Sequence, residues 1–95
     1  MLRTIKVLIR GQVTGVGFRY FLESKARMLS IKGYVKNLAG NIEAVFQSED
    51  EQKLEKMLGF AKKGPLLAKI DEVRVEKLNN QKQFQDFQII RDLDG

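Results

Sequence analysis

Residues 3–29, RTIKVLIRGQVTGVGFRYFLESKARML, carry a strand, a glycine-rich loop and a helix in immediate succession. In RTIKVLIR (3–10), Ile5, Val7 and Ile9 fall on one face and Lys6 and Arg10 on the other. Period-two alternation of this kind marks a half-buried strand. GQVTGVG (11–17) then places three glycines in seven residues. Beyond it Phe18, Phe21, Leu22, Lys25, Ala26 and Leu29 recur at helical spacing with only Lys25 polar, which predicts a helix over 18–29.

The rest of the chain extends the pattern. Strands are expected at 31–37 and 41–47, with Ile31 and Val35 on one face and Ile42, Ala44 and Phe46 on another. Asn37-Leu38-Ala39-Gly40-Asn41 supplies turn chemistry between them, so the pair reads as a hairpin. Ser48-Glu49-Asp50-Glu51 reads as a capping box, Ser48 as N-cap and Glu51 reaching back. Leu54, Met57, Leu58 and Ala61 form the stripe of a second helix, which Lys62-Lys63-Gly64-Pro65 ends. Ile70, Val73 and Val75 indicate a further strand. A polar linker, Asn79-Asn80-Gln81, leads to a last one holding Phe84, Phe87 and Ile89, and Asp92 and Asp94 fall in a tail expected to fray. The order β-α-β-β-α-β, with an extra edge strand allowed at the end, gives an α+β ferredoxin-like sandwich: an antiparallel sheet with both helices on one face. Lys6, Tyr34 and Lys36 are expected on the other face. One domain over 1–95 accounts for the pattern.

Composition narrows the chemistry. The 95 residues include no cysteine and no histidine. Thiol nucleophiles, thiolate metal sites and every His-based triad are excluded. The net charge is +5, distributed unevenly. Residues 1–48 hold eight basic and two acidic side chains, and residues 49–95 nine and ten. An anionic partner is therefore expected to meet the first half. No stretch is long and apolar enough to cross a bilayer. The charge-alternating start is unlike a signal peptide, so a cytoplasmic protein is expected, with no membrane partner.

The loop is the first candidate site. Glycines permit positive φ, successive backbone N–H groups can form an anion-binding nest, and the positive end of a helix dipole adds to it. Arg19 at the helix start offers a planar fork for two phosphate oxygens. On spacing alone the segment serves equally well as a glycine-rich turn beside a solvated arginine. It is neither a Walker A loop nor GxGxxG. Asn37, in Gly33-Tyr34-Val35-Lys36-Asn37, can accept and donate, and so could orient a water. Spacing alone favours its more usual role as a turn residue.

Taken together, GQVTGVGFR and GYVKN resemble the two motifs of the acylphosphatase family, glycine-x-valine-glutamine-glycine-valine-x-phenylalanine-arginine and glycine-tryptophan/tyrosine-valine-x-asparagine. Ala39 to Ala44, Lys63-Gly64-Pro65 and Phe87-x-Ile89 match in order, so the resemblance covers nearly the whole chain. It implies a ferredoxin-like enzyme that hydrolyses the carboxyl–phosphate anhydride to a carboxylate and inorganic phosphate, with no metal or other cofactor. It assigns phosphate binding to the amides of Thr14, Gly15, Val16, Gly17 and Phe18 and to Arg19, and water orientation to Asn37. Thr14 stands where the family has glutamine.

The expected partner is a small-molecule acyl phosphate, not nucleic acid, and the chain is expected to act as a monomer. Two alternatives compete. An RNA-recognition module shares the element order, and Lys32-Gly33-Tyr34-Val35 faintly resembles the start of its motif, but the aromatic continuation is missing. A non-catalytic anion-binding domain would keep the cradle without turnover.

Overall fold

The computed structural model describes residues 1–79 and 82–91. Asn80 and Gln81 of the polar linker, and Asp92 and Asp94 of the tail, lie outside the described residues. Seven elements occur in order: β1 (Arg3–Gln12), α1 (Phe18–Met28), β2 (Lys32–Leu38), β3 (Asn41–Ser48), α2 (Glu51–Lys63), β4 (Lys69–Leu78) and β5 (Phe87–Ile90). They form a five-stranded sheet in the order β4-β1-β3-β2-β5.

The apolar periodicities meet between the sheet and the helices. Val7 and Ile9 of β1, Val35 of β2, and Ile42, Ala44 and Phe46 of β3 are fully buried on one sheet face. Phe18, Leu22 and Ala26 of α1 and Leu54, Met57 and Ala61 of α2 cover them. Burying each large apolar side chain contributes about 1.5–3 kcal/mol. Phe18, Phe21 and Phe60 meet edge-to-face across the two helices, with centroids 6.2 and 6.3 Å apart. The Lys25 ammonium lies 4.6 Å from the Phe60 ring centroid, which lets a cation sit on this apolar stripe. The β2–β3 hairpin turns through Ala39 and Gly40, both at positive φ (52° and 85°). That is the signature of the tight turns that match strand twist.

The structure departs from the sequence reading at three places. Ser48 is not the N-cap of α2. It is the last residue of β3, opposite Arg3, and its hydroxyl accepts from Asp50 N–H at 2.9 Å. Asp50 is the N-cap, because its carboxylate takes the N–H groups of both Gln52 (3.0 Å) and Lys53 (3.2 Å). Glu51 turns instead to Arg3, 3.5 Å away. Second, the sheet is mixed: β1 to β4 are antiparallel neighbours, but β5 runs parallel to β2. The chain leaves β4 at one edge and crosses to the other edge, so it enters β5 in the direction of β2. Third, Phe84 precedes β5 and is not part of it. Its N–H bonds the Gln47 side chain at 2.9 Å rather than a strand ladder.

The face away from the helices carries two clusters of paired charge. Glu43, buried at 7% exposure, accepts from the Tyr34 hydroxyl (3.0 Å) and meets Lys6 (3.5 Å) and Lys36 (3.6 Å). Lys6, Tyr34 and Lys36 thus lie where alternation placed them, around an acid the sequence reading did not single out. Glu72 similarly meets Arg74 at 2.6 Å and Arg10 at 3.7 Å.

Candidate functional site

The functional question lies at one end of the sheet. Register pairs Ile9 of β1 with Ile42 of β3, and Ile42 with Asn37 of β2. The ends of β1 and β2 therefore lie at the same end of the sheet, where the loop 13–17 also begins. Arg10 faces Glu72 and Gly11 faces Ile70, so Asp71 of β4 is an extra residue, a register irregularity beside the end of β1. Asn37 shares the helix-side face with Val35, two positions away on β2, so it points toward the start of α1.

The loop itself is shaped by two left-handed glycines. Gly15 has φ 73° and Gly17 φ 78°, and a Cβ added at either would meet nothing within 4 Å. Conformation, not crowding, demands glycine there. Gly17 is the N-cap of α1, no side chain caps the helix, and no acidic residue occupies its first turn. The first backbone bond into the helix runs from Phe21 N–H to Gly17 C=O at 2.9 Å. The N–H groups of Phe18, Arg19 and Tyr20 precede it and have no helical acceptor. Most helices cover such groups with a Ser, Thr, Asp or Asn, as α2 does with Asp50.

These elements enclose a pocket of about 180 Å³ lined by Val13, Thr14, Gly15, Gly17, Phe18, Arg19, Tyr20 and Asn37. Six of the expected site residues line it together: Thr14, Gly15, Gly17, Phe18, Arg19 and Asn37. Val16 does not; its side chain is partly buried against the core. Val13 and Tyr20 line the pocket and escaped the sequence reading. Tyr20 follows Arg19 on the first turn, so its proximity was legible in the spacing, whereas Val13 read only as part of the loop.

Two features make the pocket unlike the opposite face. Among the described residues Arg19 is its only charged lining residue, half-buried, and makes no hydrogen bond or ion pair with another of them. The Asn37 Oδ1 is buried without a hydrogen-bond partner. Buried acceptors are nearly always satisfied, and leaving one bare costs about 1–3 kcal/mol. An unpaired cation, uncapped amides and a bare acceptor together can hold a tetrahedral anion and a water beside it. Among the described residues no group of three acidic side chains converges as a metal site, and no helix is long and apolar enough to cross a membrane.

A larger groove, about 410 Å³, runs between the starts of β1 and α2 and the end of β4. It lies at the other end of β1 from the loop.

Comparison with known proteins identifies the family. The family described as Acylphosphatase matches residues 5–89. An acylphosphatase of Archaeoglobus fulgidus is 41% identical over 83 residues, covering 85% of this chain and 93% of that protein. The crystal structure of acylphosphatase from Bacillus subtilis superposes with a TM-score of 0.86 at 28% identity, over 95% of this chain and 99% of that one. The chain also superposes on a segment of full-length HypF, solved in a phosphate- and nucleotide-bound form, with a TM-score of 0.87 and 28% identity. There it covers 98% of this chain and 13% of HypF. The chain belongs to the acylphosphatase family of hydrolases.

Proposed function

We propose that this protein hydrolyses the carboxyl–phosphate bond of acyl phosphates by in-line attack of a water on phosphorus. The convergence of Arg19 and the bare Asn37 Oδ1 on one pocket carries the reading. In this scheme the Arg19 guanidinium and the amides of residues 14–18 hold the phosphoryl oxygens. Asn37 Oδ1 accepts a hydrogen bond from the water and aims its oxygen at phosphorus.

The chemistry closes without histidine. The leaving group is a carboxylate whose conjugate acid has a pKa near 4, so no general acid is needed. What remains is positioning and charge stabilisation, the main demands of phosphoryl transfer. Water oxygen bonds to phosphorus, the bond from phosphorus to the acyl oxygen breaks, and the carboxylate departs with that electron pair. An asparagine is no base, so the water's proton passes to a phosphoryl oxygen. The scheme requires no metal, because Arg19 supplies the positive charge.

The outer face does not compete for nucleic acid in this reading. The Tyr34 hydroxyl is bonded to Glu43 and its ring meets Phe84 edge-on at 6.0 Å, so it is not a free stacking platform. The protein is read as acting on a small molecule, as a monomer.

Hydrolysis of acetyl phosphate in ¹⁸O-water with EDTA tests the scheme. Attack at phosphorus puts the label in inorganic phosphate. Label in acetate, or no turnover by the folded protein, contradicts it.

A further inference from the structure

The parallel strand β5 has a consequence for the mouth of this pocket. Its pairing with β2 runs as far as Lys36 with Ile90. One residue further, Arg91 comes alongside Asn37, and strand alternation turns it to the same helix-side face. An antiparallel β5 would have carried this part of the chain to the opposite end of the sheet. Arg91 then reaches α1: its Nη2 donates to the Tyr20 hydroxyl at 2.9 Å. Tyr20 lines the pocket and is 54% exposed. Among the described residues Arg91 meets no carboxylate, and Glu23, one turn along α1 from Tyr20, is engaged with Arg27 at 3.2 Å. Beside the pocket-lining Tyr20 there is thus a second cation, held by the tyrosine hydroxyl and without a carboxylate partner among the described residues.

A bound acyl phosphate places its phosphoryl end against Arg19, so its acyl group must leave by the mouth. We propose that Tyr20 and Arg91 form the acyl-side subsite and favour acyl phosphates whose acyl group carries a second anionic group. The proposal rests on the hydrolysis proposed above. The Tyr20 ring offers a flat apolar wall to the acyl chain, and its hydroxyl fixes the Arg91 fork. Arg91 pairs with a carboxylate or phosphate at the far end of the acyl group. Both groups are exposed, so the preference is modest and salt-sensitive.

The test compares benzoyl phosphate with 4-carboxybenzoyl phosphate, a rigid pair differing only in the added charge. At low ionic strength the wild type should show a higher kcat/KM for the carboxylated substrate. Arg91→Gln should cut that preference about threefold, through KM rather than kcat, and Arg91→Glu about tenfold. Tyr20→Phe, which keeps the ring and releases the arginine, should fall between wild type and Arg91→Gln. Inhibition by inorganic phosphate reports that the phosphate site of each variant is intact. An unchanged substrate ratio in both Arg91 variants, with hydrolysis retained, overturns the subsite and leaves the hydrolysis standing. Failure of the folded wild type to hydrolyse either substrate overturns the hydrolysis and the subsite with it.

Discussion

The two faces of the sheet treat charge in opposite ways. On the outer face Glu43 gathers Tyr34, Lys6 and Lys36, and Glu72 gathers Arg74 and Arg10. On the helix side, at the end of β1 and β2, Arg19 has no partner among the described residues and Asn37 Oδ1 is buried bare. Both regions are polar and both lie next to the core. Satisfied charge stabilises a fold, while unsatisfied polar groups held rigidly in a pocket are strain that a ligand relieves. The contrast sets a structural cluster apart from a candidate site without reference to either motif.

Substitutions in the two regions should therefore fail in different ways. The largest effect is expected from Arg19→Ala. It removes the charged residue proposed to hold the phosphoryl group, so kcat/KM should fall on the order of 10³–10⁵, the range for arginines that neutralise a transferring phosphoryl group. Because the charge serves ground and transition states alike, KM should rise as kcat falls, read in steady-state kinetics. Next is Asn37→Ala, expected to lower kcat by about 10²–10³ with phosphate inhibition retained. Thermal unfolding sharpens this prediction. Removing a bare buried acceptor should leave Tm unchanged or raise it.

On the outer face the pattern reverses. Glu43→Ala leaves the Tyr34 hydroxyl and two lysines without their acceptor. It should cost about 1–3 kcal/mol in urea unfolding, with kcat of the folded fraction unchanged. Loss of activity without loss of stability there would erase the distinction between the faces.

The smallest expected effect is a pH dependence. Burial, then the hydrogen bond to Glu43 and its negative charge, push the Tyr34 hydroxyl up from 10.0 to about 12. The folded state therefore holds this proton more tightly than the unfolded chain. Its contribution is whole below pH 10 and is lost as pH climbs from 10 to about 12, while the unfolded chain gives up its proton first. Tyr34→Phe should remove that component from the pH profile of stability.

Much of this molecule could be read from its residues, for identifiable reasons. Period-two alternation in 3–10 and helical recurrence from Phe18 set the first strand and helix, since each pattern fits one geometry. Asn37-Leu38-Ala39-Gly40-Asn41 gave the hairpin, because few sequences tolerate two consecutive positive φ angles. The loop and Arg19 could be read as a candidate anion cradle or as a plain turn with equal right, and Asn37 was joined to them only through the paired motifs; the structure lines one pocket with Thr14, Arg19 and Asn37. What escaped was non-local. Glu43 looks like any exposed strand acid until three strands bring Lys6, Tyr34 and Lys36 around it. Asp50 displaced Ser48 as the cap because β3 runs on through Ser48. The direction of β5 depends on where the chain crosses the sheet, which no local pattern encodes, and with it went the position of Arg91.

The central claim is that Arg19 and Asn37 divide one reaction between charge and water. The most direct measurement is hydrolysis of acetyl phosphate in EDTA by wild type, Arg19→Ala and Asn37→Ala, each shown to be folded, with inhibition by inorganic phosphate measured alongside. The account predicts turnover by the wild type that both variants lose, with phosphate inhibition abolished in Arg19→Ala and kept in Asn37→Ala. Wild-type turnover that survives either substitution, or phosphate inhibition lost in a folded Asn37→Ala, would contradict it.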